Sequence, residues 1–177
     1  QTMGLQEGRI YHSVITKVVY EGGHREPFLA RWPGRIKPGT TSDQIISITD
    51  IFATCASLLG KALPENAGED SVSFLKCLYG QQKGPFREAS VQQSGKKALA
   101  IRKGKWKLIV HGDNKRELFD LNADIGEKYN LIETNPEVAT ELALLLQSYL
   151  DKGRSTPGKA QPLEYKISLD EVRYNKK

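Results

Sequence analysis

Three short segments with strand composition, residues 98–101, 106–110 and 117–121, follow one another with little between them except Gly104 and the Gly112-Asp113-Asn114 turn. Runs of this length, rich in β-branched and aromatic residues and punctuated by turn formers, predict an antiparallel meander. Such a sheet needs something to cover it, and the next strong element is suited to do so. Asn135-Pro136-Glu137 combines a capping side chain, a proline at the first helical position and an acidic first turn, all of which favour a helix start. Val138, Leu142, Leu145, Leu146 and Tyr149 then fall on one stripe of that helix.

Upstream of the Gly84-Pro85 break the pattern changes. Residues 27–32 read as a short, mostly buried strand closed by Pro33-Gly34. A polar stretch over residues 37–43 follows, and Thr49 then caps a helix whose apolar face is Ile51, Phe52, Cys55, Leu58 and Leu59, with Gly60 as its stop. A second helix is expected over residues 71–79, with Val72, Leu75 and Leu78 on one side and Gly80 at its end. The order is therefore strand, helix, helix, then an antiparallel sheet with one packing helix. This α/β arrangement predicts two parts, residues 1–85 and 86–177, with a basic tail. In that tail Gly153, Pro157, Gly158 and Pro162 mark a loop, while Leu163, Tyr165, Ile167 and Leu169 alternate like a short edge strand.

Composition narrows the functional classes. With 38% hydrophobic residues and 16 glycines in 177, the chain has the apolar content of a globular protein rather than a disordered one. The longest purely apolar run, Leu142-Ala143-Leu144-Leu145-Leu146, is far short of the roughly 20 residues that cross a bilayer, so no membrane span is expected. The net charge is 26 − 21 = +5, uneven along the chain: residues 1–150 carry 19 basic and 17 acidic side chains, residues 151–177 carry 7 and 4. Lys96, Lys97, Arg102, Lys103, Lys105 and Lys107 form a run without an acid, which period two and Gly104 place on the solvent face of a hairpin. No nucleic-acid motif accompanies them, and no nucleic-acid partner is expected. Cys55 and Cys77 lie in apolar stretches and read as buried thiols. Residues 1–16 show neither a basic n-region nor an apolar h-region, and the chain opens on Gln1, so it is expected to begin inside a longer one.

The densest set of reactive side chains beside permissive backbone runs from Lys17 to Pro27, and includes Lys17, Gly22, Gly23, His24 and Arg25. The three cationic groups suit an anionic ligand. The same residues also suit a turn whose charges are solvated, and composition leaves both readings open.

Tyr20-Glu21-Gly22-Gly23-His24-Arg25-Glu26-Pro27-Phe28-Leu29-Ala30-Arg31-Trp32-Pro33-Gly34 resembles the Y/W-E-G-G-x-R-x-P-x-x-x-x-W-P-G segment of the sulfatase family, in its arylsulfatase-like branch. Further similarities follow in the same order: residues 48–54 with Leu58-Leu59-Gly60, residues 69–74, residues 100–109, Glu117-Leu118-Phe119-Asp120-Leu121, then Glu127 and Asn130-Leu131. The resemblance covers roughly residues 17–150. It implies the C-terminal part of an alkaline-phosphatase-like fold: the last strand and helices of the large α/β domain over 1–85, then the small antiparallel sheet and its helix over 86–177.

The resemblance also implies sulfate ester hydrolysis in a longer parent, with calcium and a formylglycine made within a C/S-x-P-x-R motif. No such motif, no early Asp-Asp pair and no Asp-Asn-Gly ahead of the Gly-Gly loop occur in this sequence. The implied partners are an aryl or carbohydrate sulfate ester and a catalytic N-terminal part supplied elsewhere. A periplasmic or secreted parent is implied too, and this chain by itself is expected to be inactive and to bind neither calcium nor another metal. Within the loop, Lys17 takes the catalytic, sulfate-contacting role by resemblance, and His24 and Arg25 take substrate-binding roles. The family's lysine stands four positions before the motif's aromatic residue, which is Thr16 here, so Lys17 is displaced by one.

Other residues receive lesser readings. Gln92 and Gln93 stand where related sequences often carry two histidines, or simply alternate across a strand. Asp120, Asp124 and Glu127 are expected to cap turns, and His12 and His111 are isolated in sequence. The competing functional class is a non-catalytic basic module that binds sulfated or other anionic glycans through Lys17, His24 and Arg25.

Overall fold

The computed structural model describes residues 19–94, 98–112, 115–162 and 169. These fall into two compact units: one takes in the described residues of Gln1–Pro27, Val91–Leu146 and Ser168–Lys177, the other those of Phe28–Ser90 and Gln147–Ile167. Lys17 and the candidate tail strand, apart from Leu169, lie outside the described residues.

The first unit is organised by the sheet. Strands β1 (Ser90–Gln93), β2 (Leu99–Lys103), β3 (Trp106–Val110) and β4 (Arg116–Asp120) lie in the order β1-β2-β3-β4. β2 and β4 both pair antiparallel with β3, so that Ile101, Leu108 and Leu118 stand in one row across the sheet. Gly104 closes the β2–β3 turn at φ +57°, where a side chain would be strained. The expected meander is present, with β1 added at its edge.

Pleating sends alternate residues to opposite faces. Ile101, Leu108 and Leu118 share one face and are fully buried. On that face Lys103 pairs at 2.9 Å with Glu141 of helix α4 (Pro136–Lys152), whose buried residues are Ala139, Leu142 and Leu146. Val138, Leu145 and Tyr149 of the expected stripe are only half-buried. The opposite face carries Ala100, Lys107, Ile109, Glu117 and Phe119, and it is not open to solvent as the hairpin pattern suggested. Val19 packs there with Ala98, Ala100, Ile109, Phe119 and Leu121, and Tyr20 and Ile125 lie against that cluster. The chain preceding the Gly-Gly loop thus covers the second face of the sheet.

The second unit departs further from expectation. Residues 27–32 are extended but belong to no strand, and Phe28, Leu29 and Trp32 are 47%, 93% and 40% exposed. Phe28 meets Phe74 edge-on at 5.4 Å and Trp32 lies 6.4 Å from Tyr79, yet no strand among the described residues pairs with this backbone. Helix α2 (Asp50–Leu58) forms as expected and ends at Gly60, φ +62°, but it buries Asp50, Ala53 and Thr54. The side carrying Ile51, Phe52, Leu58 and Leu59 is exposed. Both cysteines are free, and Cys55, on that exposed side, is not the buried thiol expected; Cys77 is half-buried.

The reason α2 turns its other face inward is polar. The Asp50 carboxylate, fully buried, accepts hydrogen bonds from the Ser47 amide at 2.7 Å and the Val72 amide at 2.9 Å, and pairs with Arg87. Ser71 Oγ donates to the Thr49 carbonyl and accepts from the Ala53 amide, and Thr54 Oγ1 accepts from the Phe74 amide. Thr49 stands at the N-cap without a side-chain cap bond: the amides of Asp50, Ile51 and Phe52 donate to the Ser47, Ile48 and Thr49 carbonyls, and that of Ala53 to Ser71 Oγ. The amides of Val72 and Phe74 are spent on α2 side chains, which leaves only Leu75–Leu78 as helix α3, much shorter than the expected 71–79. A buried carboxylate must be satisfied wherever it lies, and that requirement overrides the apolar stripe.

Candidate functional site

The loop that carries the charged cluster is built onto the sheet from its first described residue. Val19 is 1% exposed. Tyr20 sets its ring edge against Phe119 at 6.4 Å and its hydroxyl donates to Glu117 Oε2 at 2.5 Å. Glu21–His24 then form one helical turn, α1, in which the Gly23 amide donates to the Tyr20 carbonyl and the Arg25 amide to the Glu21 carbonyl, both at 2.9 Å. Neither Gly22 nor Gly23 takes a positive φ.

Glu21 is the anchor of this turn. Its carboxylate accepts from Lys107 Nζ at 3.0 Å and lies 3.3 Å from Arg102 Nη1. Its own amide donates to Glu127 Oε2 at 2.5 Å, and Glu127 Oε1 stands 2.9 Å from Lys107 Nζ. The two carboxylates and the lysine are buried, with side-chain exposures of 6%, 2% and 0%. Glu127 holds φ +52°, the left-handed region that few residues with a Cβ adopt. Lys107, expected on the solvent face, is therefore the most enclosed charge of this unit, because the sheet face it occupies is covered by the Glu21 segment. Glu127, expected as a turn cap, instead holds the loop. Asp120 and Asp124 do cap turns: Asp120 accepts from the Asn122 and Ala123 amides, Asp124 from those of Lys128 and Tyr129.

A second charged group lies beside the first. Glu117 receives Tyr20, His111 Nε2 at 2.9 Å and Lys115 Nζ at 3.0 Å, so His111 is not isolated. Burial by itself pushes the Glu117 carboxyl up, but the hydrogen bonds from Tyr20, His111 and Lys115 outweigh it and hold the group below the ordinary carboxylate range. At Glu127 the balance is reversed: burial pushes the carboxyl up, and the Lys107 charge and the Glu21 amide do not offset it. Burial, and then Glu117, push the Tyr20 phenol well above its usual value.

His24 ends the helical turn and Arg25 follows it, and both are exposed. The structure brings these two together on one short loop; Lys17 lies outside the described residues. Glu21, Lys107 and Glu127 were not singled out as a group in the sequence. Their separations of 86 and 106 residues give no local signal, and the only hint was an acid beside the two glycines. Among the described residues no group of three or more His, Cys, Asp or Glu stands together as a metal site. The buried carboxylate pair does not fit calcium either, since Lys107 already supplies the cation between its members.

A family model described as N-sulphoglucosamine sulphohydrolase, C-terminal, matches residues 12–155. This chain belongs to the sulfatase family. The sulfatase chain is 38% identical over 161 residues to an N-acetylgalactosamine-6-O-sulfatase of Bacteroides thetaiotaomicron, covering 82% of this chain and 30% of the relative. It is 36% identical over 148 residues to arylsulfatase A of Bos taurus, covering 69% and 29%. A solved sulfatase structure, described with the metabolism of multiple glycosaminoglycans by B. thetaiotaomicron, matches with a TM-score of 0.67 and 39% identity over 75% of this chain and 30% of that one. The chain thus spans about 30% of the length of these relatives. Its fold class is the C-terminal part of the alkaline-phosphatase-like sulfatase fold, as the motifs implied. No described helix is long and apolar enough to cross a membrane.

Proposed function

We propose that this chain is the C-terminal portion of a sulfuric ester hydrolase that acts on a sulfated carbohydrate. In this reading the 20–27 loop borders the ester, with His24 and Arg25 as contacts to the sulfate oxygens and Lys17 in the sulfate-contacting catalytic role that the family resemblance implies. Cations placed where negative charge develops stabilise it most in a site that excludes water. The formylglycine and calcium of the family belong, in this proposal, to residues elsewhere in the protein. The single observation that carries the reading is the disposition of the Gly-Gly loop: Glu21 is consumed inside the sheet unit, while His24 and Arg25 are presented outward. The sugar-sulfate relative supports the substrate class, and N-acetylgalactosamine 6-sulfate is the first compound to try.

The competing reading is a non-catalytic basic module that binds sulfated or other anionic glycans through Lys17, His24 and Arg25. Turnover separates the two readings. The 177-residue chain should release no sulfate from N-acetylgalactosamine 6-sulfate or from 4-nitrophenyl sulfate with calcium present, whereas the protein made from the complete coding sequence should release it from at least one of them. Turnover by the chain that survives repurification, or none by the complete protein, would overturn the proposal.

A further inference from the structure

We propose that Glu127 and Lys107 are positioning residues, which set the direction in which His24 and Arg25 leave the loop and so the affinity of that loop for a sulfate group. This deepens the reading above and rests on it for the ligand. Helix α1 is a single turn of four residues, and a turn of that length does not hold its own geometry in water. Something outside it must do so. Val19 and Tyr20 fix where the segment lies on the sheet, but both precede the turn. Glu21 ties the turn itself to the sheet unit: its amide donates to Glu127, and its carboxylate meets Lys107 and Arg102.

The charges are matched. Glu21 and Glu127 bring two negative charges, Lys107 and Arg102 two positive ones, and Lys107 touches both acids while wholly out of water. Buried ion groups add little net stability compared with apolar packing, and their best use is to specify one arrangement over others. Glu127 gives a further indication. It is the only residue other than glycine with a positive φ among those described, and that costly conformation aims its carboxylate at the Glu21 amide. The Asp120–Glu127 turn and strand β3 thereby act on the loop, although neither Glu127 nor Lys107 is placed to touch a ligand of His24 and Arg25.

The test uses the full 177-residue chain, labelled for NMR, with inorganic sulfate as the probe and chloride at equal ionic strength as its control. In the unsubstituted chain, sulfate and not chloride should shift the amides of Glu21 through Glu26. Glu127→Ala removes the acceptor of the Glu21 amide. It should speed hydrogen exchange at Glu21, Gly23 and Arg25 about tenfold while β2–β4 stay protected, and weaken sulfate binding by about the same factor. Glu127→Gln keeps an oxygen for that amide and should restore both. Leu142→Ala, which loosens the other face of the sheet, should lower overall stability without moving the sulfate affinity. Faster exchange spread evenly over the sheet would make Glu127 a structural residue only and overturn the proposal. So would a freed loop with unchanged sulfate affinity, which leaves the sulfatase reading intact. No sulfate response in the unsubstituted chain overturns the roles given to His24 and Arg25, and with them the positioning claim.

Discussion

Lys107 is the residue on which the sheet unit's electrostatics turn. It is fully buried between two carboxylates, so its value lies in what its removal would leave behind. Lys107→Met should cost about 3–5 kcal/mol in urea unfolding, because the buried Glu127 would lose its cation and Glu21 would keep only Arg102. Adding Glu21→Gln and Glu127→Gln to that variant should recover most of the loss, since the one charge that remains, on Arg102, is partly exposed. A triple variant no better than the single one would contradict the ionic account. The two perturbed carboxyls make opposite predictions with pH. Glu117 lies below its ordinary 4.5 in the folded chain, so its contribution is complete above about pH 4.5 and is lost as pH falls through the depressed value. Glu127 lies above 4.5, so the folded chain holds its proton more tightly than the unfolded one and stability falls as pH rises through that window. Glu117→Gln should flatten the acid limb of the stability profile, and Glu127→Gln should remove the loss above it. Urea unfolding from about pH 3 to about pH 7 reads both, and identical profiles for the two variants would contradict the assignment.

At the scale of elements, local signals were sound where one residue decides and weak where a distant partner decides. Gly60, Gly80 and Gly104 stop or turn the chain where the sequence placed them, each at positive φ, because that conformation depends on the residue itself. Helix α4 begins at Pro136 for the same kind of reason. The apolar stripe of α2 failed because Asp50, inside the helix, recruits Ser47, Val72 and Arg87 and must be buried to do so. Periodicity counts apolar residues and does not weigh one carboxylate with three donors. Ser71 is the matching piece on the other side, linking the Thr49 carbonyl and the Ala53 amide. Ser71→Ala should therefore cost about 1–3 kcal/mol, more than an exposed serine would, by leaving the Ala53 amide without its acceptor. Unfolding of the variant in urea checks this, and a change below a few tenths of a kcal/mol would show that α2 is held by packing instead.

For the molecule as a whole, the family was legible in the fifteen residues 20–34, and the meander was legible in its turn glycines. Of the candidate site, the sequence shows only the exposed pair on the loop. His24 and Arg25 stand in the motif itself, whereas Lys107 and Glu127 join it through folding alone, across strands that no sequence spacing connects. The extended segment 27–32 and the apolar side of α2 carry a pattern that predicts burial, and among the described residues both keep large apolar side chains exposed. On a chain that spans about 30% of its relatives, the proposed reading assigns their covering to the rest of the protein. The measurement that checks this is the coding sequence upstream of Gln1, followed in all three frames. A C/S-x-P-x-R motif is expected there, with an Asp-Asn pair closer to residue 1. A start codon immediately before Gln1, or an upstream sequence without the motif, would contradict the proposed reading.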